Sequence, residues 1–163
     1  MQALGISGPI NLEGETVATK KLGGCLCGEI RYSFSCDILS CYACHCTDCQ
    51  TRSGAAFTLT AIVPKSEIQI ANGTPKIIDW SIGTCMVCEA CGVQLWVVAD
   101  IVPDFALMKI GTLDDTSWVE PVAHIWTSSA QPWIRFDENA KKFPGMPENP
   151  VELVELWTQK KTS

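Results

Sequence analysis

Ten cysteines in a chain of 163 residues are the feature that most restricts how this sequence can fold. Seven of them fall into three tight clusters, at 25–27, 44–49 and 88–91. The spacings C-x-C and C-x-x-C are typical of zinc ligands, whereas a disulfide framework is typical of small secreted chains. The first residues lack the basic start and apolar block of a secretory signal. We therefore expect metal binding rather than disulfides, and a cytoplasmic location.

Composition places the chain among folded proteins with a single core. Hydrophobic residues make up 47% of the sequence and charged residues 18%, as in globular domains. No apolar run is long enough to cross a bilayer. The net charge of −6 disfavours nucleic acid, because such binding needs a positive surface to displace the counterions of phosphate. We expect neither a nucleic acid nor a membrane as a partner.

The chain divides into three parts. Glycine and proline interrupt residues 1–21 without a clear apolar period, which predicts a flexible N-terminal arm. Residues 22–148 contain every cysteine and are predicted to form the zinc domain. Residues 149–163 are predicted to form a C-terminal helix or tail. In this tail Asn149 can cap a helix that runs from Pro150 to about Lys160.

Short β-like runs dominate the domain, and helix is scarce. Apolar residues in alternation or in short runs, bounded by turns, predict seven strands. These strands span 29–34, 56–63, 67–70, 76–81, 94–99, 105–110 and 122–127. A short helical turn is expected at 47–53. The elements predict a mainly β fold of short antiparallel sheets, stabilised by zinc and followed by a C-terminal helix.

The C-x-x-C-G sequence at 88–92 has the form of a zinc knuckle, which supplies two ligands and needs two more. Cys25 and Cys27 are the natural partners of Cys88 and Cys91, because the middle cysteines already form a local set. A closed site of four cysteines is structural by the usual coordination rule. It would connect the N-terminal part of the domain to its middle.

The middle cluster offers three thiolates from six residues: Cys44, Cys46 and Cys49. Three protein ligands leave the fourth tetrahedral position open for water or substrate, as in catalytic zinc sites. The alternative is a closed site with Cys36, Cys41 or His45 as the fourth ligand. His45 lies between two ligands, so its ring is expected to point away from the metal and to make a supporting hydrogen bond.

Read in order, these motifs resemble the glutathione-dependent formaldehyde-activating enzyme family, which includes centromere protein V. The resemblance starts with G-C-L-C-G-E-I-R-Y at 24–32, followed by C-H-C-T-D-C at 44–49 and Ser53-Gly54. It continues with V-C-E-A-C-G at 87–92. The later matches are G-T-L-D-D at 111–115, H-I-W at 124–126 and Q-P-W at 131–133. Most of the chain is covered.

The resemblance implies a zinc-supported fold of the β-tent type. It implies that a structural zinc is bound by Cys25, Cys27, Cys88 and Cys91. It also implies that a catalytic zinc is bound by Cys44, Cys46 and Cys49. The activity it implies is that of a carbon–sulfur lyase, which joins glutathione and formaldehyde reversibly into S-hydroxymethylglutathione. The expected partners are a small thiol such as glutathione and an aldehyde. A homodimer is one possible oligomeric state.

Glutathione carries two carboxylates, so its pocket should present cations. Arg52, close behind the middle cluster, is the first candidate for binding it, and Arg31 and Lys109 are others. Four aromatic residues are candidates for the pocket wall: Phe57, Trp96, Trp126 and Trp133. His124 is expected to be a hydrogen-bonded core residue.

Other readings of the sequence remain open. The same zinc–thiol chemistry could act on a different thiol or electrophile. A non-catalytic zinc binding module and a chaperone-like β-tent protein are further alternatives. Three cysteines outside the clusters, Cys36, Cys41 and Cys85, are expected to be small buried hydrophobes. Cys85 also stands at a ligand spacing from Cys88.

Overall fold

Eleven short strands and two helices make up the described part of the protein, residues 19–162 of a computed structural model. A small antiparallel sheet has the order β1 (Lys21–Gly24), β2 (Arg31–Phe34) and β5 (Gln69–Asn72). The large sheet has eight strands. Its order is β11 (Lys141–Lys142), β10 (Ala123–Ile125), β3 (Ser40–Cys44), β4 (Thr58–Pro64), β9 (Phe105–Lys109), β8 (Gln94–Ala99), β7 (Gly83–Val87) and β6 (Lys76–Trp80). The helices are α1 (Thr47–Ser53) and α2 (Val151–Thr162).

The predicted class, a mainly β fold of short sheets with a C-terminal helix, is confirmed. Each predicted strand overlaps an observed one, and the helical turn predicted at 47–53 is α1. Four observed strands have no counterpart among the seven predicted ones: β1, β3, β7 and β11. All five residues of β3 are buried, so its two faces do not alternate between apolar and polar as in a half-buried strand.

One part of the large sheet is parallel, in contrast to the antiparallel expectation. Strand β10 runs parallel to both β3 and β11. Parallel neighbours cannot be joined by a tight hairpin and need a long connection. Here residues 45–122 separate β3 from β10, and the pairing places His124 beside Ala43 and Ile125 beside Cys44.

The core lies between the two sheets and under α2. Tyr32 of the small sheet meets Trp96 of the large sheet edge to face, with 5.6 Å between the ring centroids. Ile30, Phe34 and Met108 are buried in the same cluster. The two sheets are therefore joined by a shared apolar interior.

Helix α2 packs onto β3 and closes one side of this core. Leu153 and Trp157 are its buried residues, and the Ser40 hydroxyl of β3 donates to the Leu153 carbonyl at 2.6 Å. The Asn149 side chain accepts from the backbone N–H of Val151 at 3.2 Å, as expected for a cap. No helix among the described residues is long and apolar enough to cross a membrane.

The predicted N-terminal arm, 1–21, lies outside the described residues except for 19–21. Of these, Lys21 already belongs to β1 and pairs with Phe34.

Candidate metal centres and adjoining cavity

The first cluster joins two distant segments of the chain and is called the four-cysteine cluster. The sulfurs of its members all lie within 4.8 Å of one another: Cys25, Cys27, Cys88 and Cys91. Cys25 follows β1, and Cys88 follows β7. The turn after Cys91 needs Gly92, which has φ +73°, a conformation that glycine adopts without strain.

The spacing of these sulfurs fits a tetrahedral ion. Cys25 Sγ lies 3.5 Å from Cys27 Sγ, and Cys27 Sγ lies 3.7 Å from Cys88 Sγ. Four sulfurs at about 2.3 Å from a tetrahedral zinc are separated by roughly 3.8 Å. The Ile30 N–H donates to Cys25 Sγ at 3.2 Å, and a hydrogen bond from the Val93 backbone lowers the pKa of Cys91 to about 6. Both contacts favour thiolates.

The second cluster is local and is called the three-cysteine cluster. Its sulfurs also lie within 4.8 Å of one another: Cys44, Cys46 and Cys49. Cys44 ends β3, Cys46 caps α1, and Cys49 lies in the first turn of that helix. Cys46 Sγ accepts from the Cys49 N–H at 3.4 Å. The strand end and the helix start thus turn all three side chains to one point.

Neighbouring groups favour a thiolate within the three-cysteine cluster. A hydrogen bond from Cys44 lowers the pKa of Cys49 to about 5, and the nearby charge of Lys109 acts in the same direction. That hydrogen bond, together with burial, raises the pKa of Cys44. Among the described residues, none of the suggested fourth ligands, Cys36, Cys41 and His45, joins this group. The three sulfurs could hold an ion with one position open.

A cavity of about 360 Å³ lies near the three-cysteine cluster. None of the three cysteines lines it, but Thr58 and Lys109 do, and both interact with the Cys49 thiol. It is lined by the end of α1, the start of β4, the end of β9 and the segment that follows Cys91. Two of the predicted cations, Arg52 and Lys109, line it together. Neither makes an ion pair within residues 19–162, and no acidic residue lines the cavity. The cavity is therefore suited to an anionic group.

The Arg52 guanidinium is held in place by an aromatic ring. Its central carbon lies 3.7 Å from the ring centroid of Trp80, within the range of a cation–π contact. The third predicted cation, Arg31, lies elsewhere and pairs with Asp114. None of the four predicted wall aromatics lines the cavity. Trp96 is in the core, and Trp126 and Trp133 are exposed.

Behind the three-cysteine cluster, two buried histidines face each other. His45 Nε2 lies 2.9 Å from His124 Nδ1, and Phe57 and Phe136 pack against the pair. One hydrogen bond therefore accounts for two expectations. His45 makes a supporting hydrogen bond, and His124 is a hydrogen-bonded core residue. Burial lowers the pKa of both imidazoles, and each also lies near another basic group, His124 or Lys142 respectively.

A polar network that sequence reasoning missed fixes the loop between Cys44 and Cys46. The Gln50 amide donates to the carbonyls of His45 at 2.7 Å and Ser129 at 2.8 Å. Gln131 donates to Gln50 Oε1 at 2.6 Å, and the Ser129 hydroxyl donates to His45 at 3.0 Å. The Q-P-W motif at 131–133 was the available signal, but nothing in it indicated a partner some 80 residues earlier.

The remaining cysteines do not join a cluster. Cys41 and Cys85 are fully buried and Cys36 is half-buried. Burial raises the pKa of Cys41 to about 12 and that of Cys85 to about 11. None of the ten cysteines forms a disulfide.

Comparison with known proteins gives one family. The protein-family model described as "Glutathione-dependent formaldehyde-activating enzyme" matches residues 20–129, more than half of the chain. No curated protein matches. A crystal structure of a Rhodobacter sphaeroides protein, a structural genomics target, has a TM-score of 0.49 and 18% identity. The match covers 61% of this chain and 91% of that one.

Proposed function

Because the chain belongs to the glutathione-dependent formaldehyde-activating enzyme family, we propose that it is a zinc-dependent carbon–sulfur lyase. It would form or cleave a thiol–aldehyde adduct such as S-hydroxymethylglutathione. The observation that supports this most is the three-cysteine cluster beside a cavity with two cations that lack an acidic partner among the described residues. Such a pairing suits a ligand with a thiol at one end and a carboxylate at the other.

The two clusters would hold two zinc ions in different roles. Cys25, Cys27, Cys88 and Cys91 would form the closed structural site. Cys44, Cys46 and Cys49 would form the catalytic site. When bound at an open site, zinc supplies Lewis acidity and lowers the pKa of a thiol that it binds. All-thiolate ligands and sulfur spacing are the features that favour zinc over harder cations.

The residues around the cavity would bind and orient the substrates. Arg52 presents a planar guanidinium held over Trp80, so it is suited to a bidentate contact with a carboxylate of glutathione. Lys109 adds a second positive charge and lowers the pKa of Cys49. The Gln50 network keeps the loop of Cys44 and Cys46 in one conformation, which reduces the reorganisation needed on binding.

We propose a cytoplasmic location for the protein. Ten cysteines without a disulfide suit a reducing compartment. Its partners there would be a small thiol and an aldehyde.

The test combines zinc stoichiometry with turnover. Native mass spectrometry of fresh protein should show two zinc ions per chain, and one in Cys46→Ser. Glutathione should bind the wild type, and S-methylglutathione, which keeps both carboxylates but has no free thiol, should bind more weakly. Formation of S-hydroxymethylglutathione from glutathione and formaldehyde should be faster with enzyme than without.

Two results would reject parts of the proposal. A single zinc whose stoichiometry does not change in Cys46→Ser would reject the open metal site. Two zinc ions with glutathione bound but no turnover of formaldehyde would reject this aldehyde, and a panel of other electrophiles would then be assayed.

A further inference from the structure

The large sheet has an unusual open edge at β6. This strand is the last in the sheet, and no other strand of residues 19–162 pairs with its outer side. Ile77 is 65% exposed and Ile78 is 39% exposed. The opposite edge, β11, consists of two lysines, which is a common protection against edge pairing. Strand β6 has five residues and no proline or bulge.

The backbone groups at this edge can be identified from the pairing of β6 with β7. The two strands are joined by a two-residue loop, and Trp80 pairs with Gly83 beside it. A pair beside such a loop exchanges both backbone hydrogen bonds, and bonded pairs alternate along the ladder. Counting back from Trp80, two residues turn their N–H and C=O groups away from β7: Ile77 and Asp79.

Further isoleucines extend the apolar surface at the end of this edge. Ile82 in the β6–β7 loop is 53% exposed, and Ile101 is 76% exposed. The two loops are connected, because the Asp100 N–H donates to the Ile82 carbonyl at 2.9 Å. They lie at the loop end of the edge that carries Ile77 and Ile78, so four exposed isoleucines are concentrated along this edge. Exposed apolar groups concentrated in this way mark interaction sites.

We propose that this edge binds a second copy of the same chain, with the two β6 strands antiparallel and a two-fold axis at Ile78. In this register Ile77 pairs with Asp79 of the second copy, and the reverse pair follows by symmetry. Both pairs use the backbone groups that β7 leaves free. Ile78 then faces its own counterpart in a pair without hydrogen bonds, where side chains come closest.

The charges within β6 permit self-pairing. Lys76 would lie opposite Trp80 of the second copy, and Asp79 opposite Ile77, so no like charges of the two strands are directly opposed. Each pair recurs by symmetry, as a two-fold interface requires. The two eight-stranded sheets would become one continuous sheet.

This interface would adjoin both cysteine clusters. Lys76 pairs with Glu89, which lies between Cys88 and Cys91. At the other end of the strand, Trp80 carries the Arg52 guanidinium beside the cavity. A second copy would thus place its Lys76 near the ring that holds Arg52. The dimer is nevertheless independent of the proposed activity, and either can fail without the other.

Sedimentation velocity on the full chain tests the dimer. Because a short edge interface is small, we expect a mass that rises from 17.8 kDa towards twice that value between about 1 and about 200 µM protein. Ile78→Lys, which opposes two lysines at the axis, should leave a monomer throughout this range. Asp79→Pro removes an outward N–H without touching β7, and should weaken the dimer at least about tenfold.

Matched variants separate the interface from general effects. Asp79→Ala keeps the N–H and should dimerise far better than Asp79→Pro. Ile70→Lys alters an equally exposed isoleucine of the small sheet, 42% exposed, and should dimerise like the wild type. Hydrogen exchange by NMR should show the Ile77 and Asp79 amides protected more strongly as the protein concentration rises.

Three outcomes would overturn the proposal. The first is a wild-type monomer with fast-exchanging Ile77 and Asp79 amides at all concentrations. The second is a monomer in which these amides are protected, which would mean that the edge is already covered within a single chain. The third is a dimer that Ile78→Lys and Asp79→Pro leave intact.

Discussion

The two cysteine clusters are built in opposite ways. The four-cysteine cluster takes pairs of ligands from segments that are 61 residues apart at Cys27 and Cys88. The three-cysteine cluster takes all its ligands from 44–49, where β3 ends and α1 begins. Both clusters border the core, and the cavity lies between the helix that contains Cys49 and the segment that follows Cys91.

The difference matches the division of roles that we propose for the two clusters. Closing a long loop removes much conformational entropy, so a metal that bridges distant segments contributes mainly to folding. A local cluster contributes little to long-range order, and its geometry is free to serve chemistry. The experiments below separate the two roles, beginning with the largest expected effect.

Removing one ligand of the four-cysteine cluster should unfold the protein. Structural zinc contributes about 10–16 kcal/mol in model peptides, comparable to the net stability of a domain. We therefore expect Cys88→Ser to lose its β-type circular dichroism at 25 °C. Cys85→Ser is the matched control, because Cys85 is equally buried on the same chain segment but belongs to neither cluster. That control should lose only about 1–3 kcal/mol, and equal effects of the two changes would contradict a structural role.

Removing one ligand of the three-cysteine cluster should abolish activity and preserve the fold. We expect Cys46→Ser to lower kcat/KM at least about 100-fold, while its melting temperature falls by only a few degrees. The readouts are turnover of the thiol–aldehyde adduct and thermal unfolding. Cys36→Ser, outside both clusters, should behave as the wild type. If Cys46→Ser were unfolded, the three-cysteine cluster would be needed for folding as well, and the proposed difference in role between the two clusters would be wrong.

The cations beside the three-cysteine cluster should act on binding. Arg52→Ala should raise KM for glutathione about tenfold, the effect of losing about 1.4 kcal/mol of binding to a carboxylate. With 2-mercaptoethanol, which has no carboxylate, the same change should leave KM within about twofold. Arg135→Ala, an exposed arginine away from the cavity, should affect neither thiol. An equal loss with both thiols would assign Arg52 a structural role.

The smallest effect concerns the histidine pair behind that cluster. Burial lowers the pKa of His45 and His124, whereas an unfolded histidine titrates near 6.5. Below that pH the unfolded chain binds more protons than the folded one, so stability should fall as the pH falls from about 6.5. Above it, the histidines should contribute no pH dependence.

The His45→Leu/His124→Leu variant isolates this contribution. Urea unfolding at pH 7.5 and about pH 5.5, with equal zinc for both proteins, should give a smaller loss of stability in the variant, by an amount of order 1 kcal/mol. Protonation of the cysteines affects both proteins, so it cancels in the difference. Equal losses would show that the two histidines keep their ordinary pKa in the folded protein.

Much of the candidate site was predictable because thiol ligands act over short sequence distances. The spacing of Cys44, Cys46 and Cys49 indicated one cluster, and the knuckle at Cys88 required two further thiols, for which Cys25 and Cys27 were the natural source. Arg52 could be suggested because it lies one helical turn after a ligand. These inferences needed no knowledge of the sheet order.

What escaped prediction depends on contacts between distant segments. The parallel pairing of β10 with β3 brings His124 to His45, and a sequence of turns and short strands does not specify that register. Strand β3 itself was missed because both of its faces are buried. Lys109 joins Arg52 only because β9 is the neighbour of β4 in the sheet, and Arg31, equally plausible by sequence, pairs with Asp114 instead.

The packing of α2 on β3 also determines the order of events during synthesis. A chain leaves the ribosome from its N-terminus, so the four-cysteine cluster has all its ligands once Cys91 has emerged. Strand β3 must wait for β10 and then for Leu153, whose carbonyl is 113 residues away from its donor, Ser40. The nascent protein can therefore complete the four-cysteine cluster while the strand that ends in Cys44 is still uncovered.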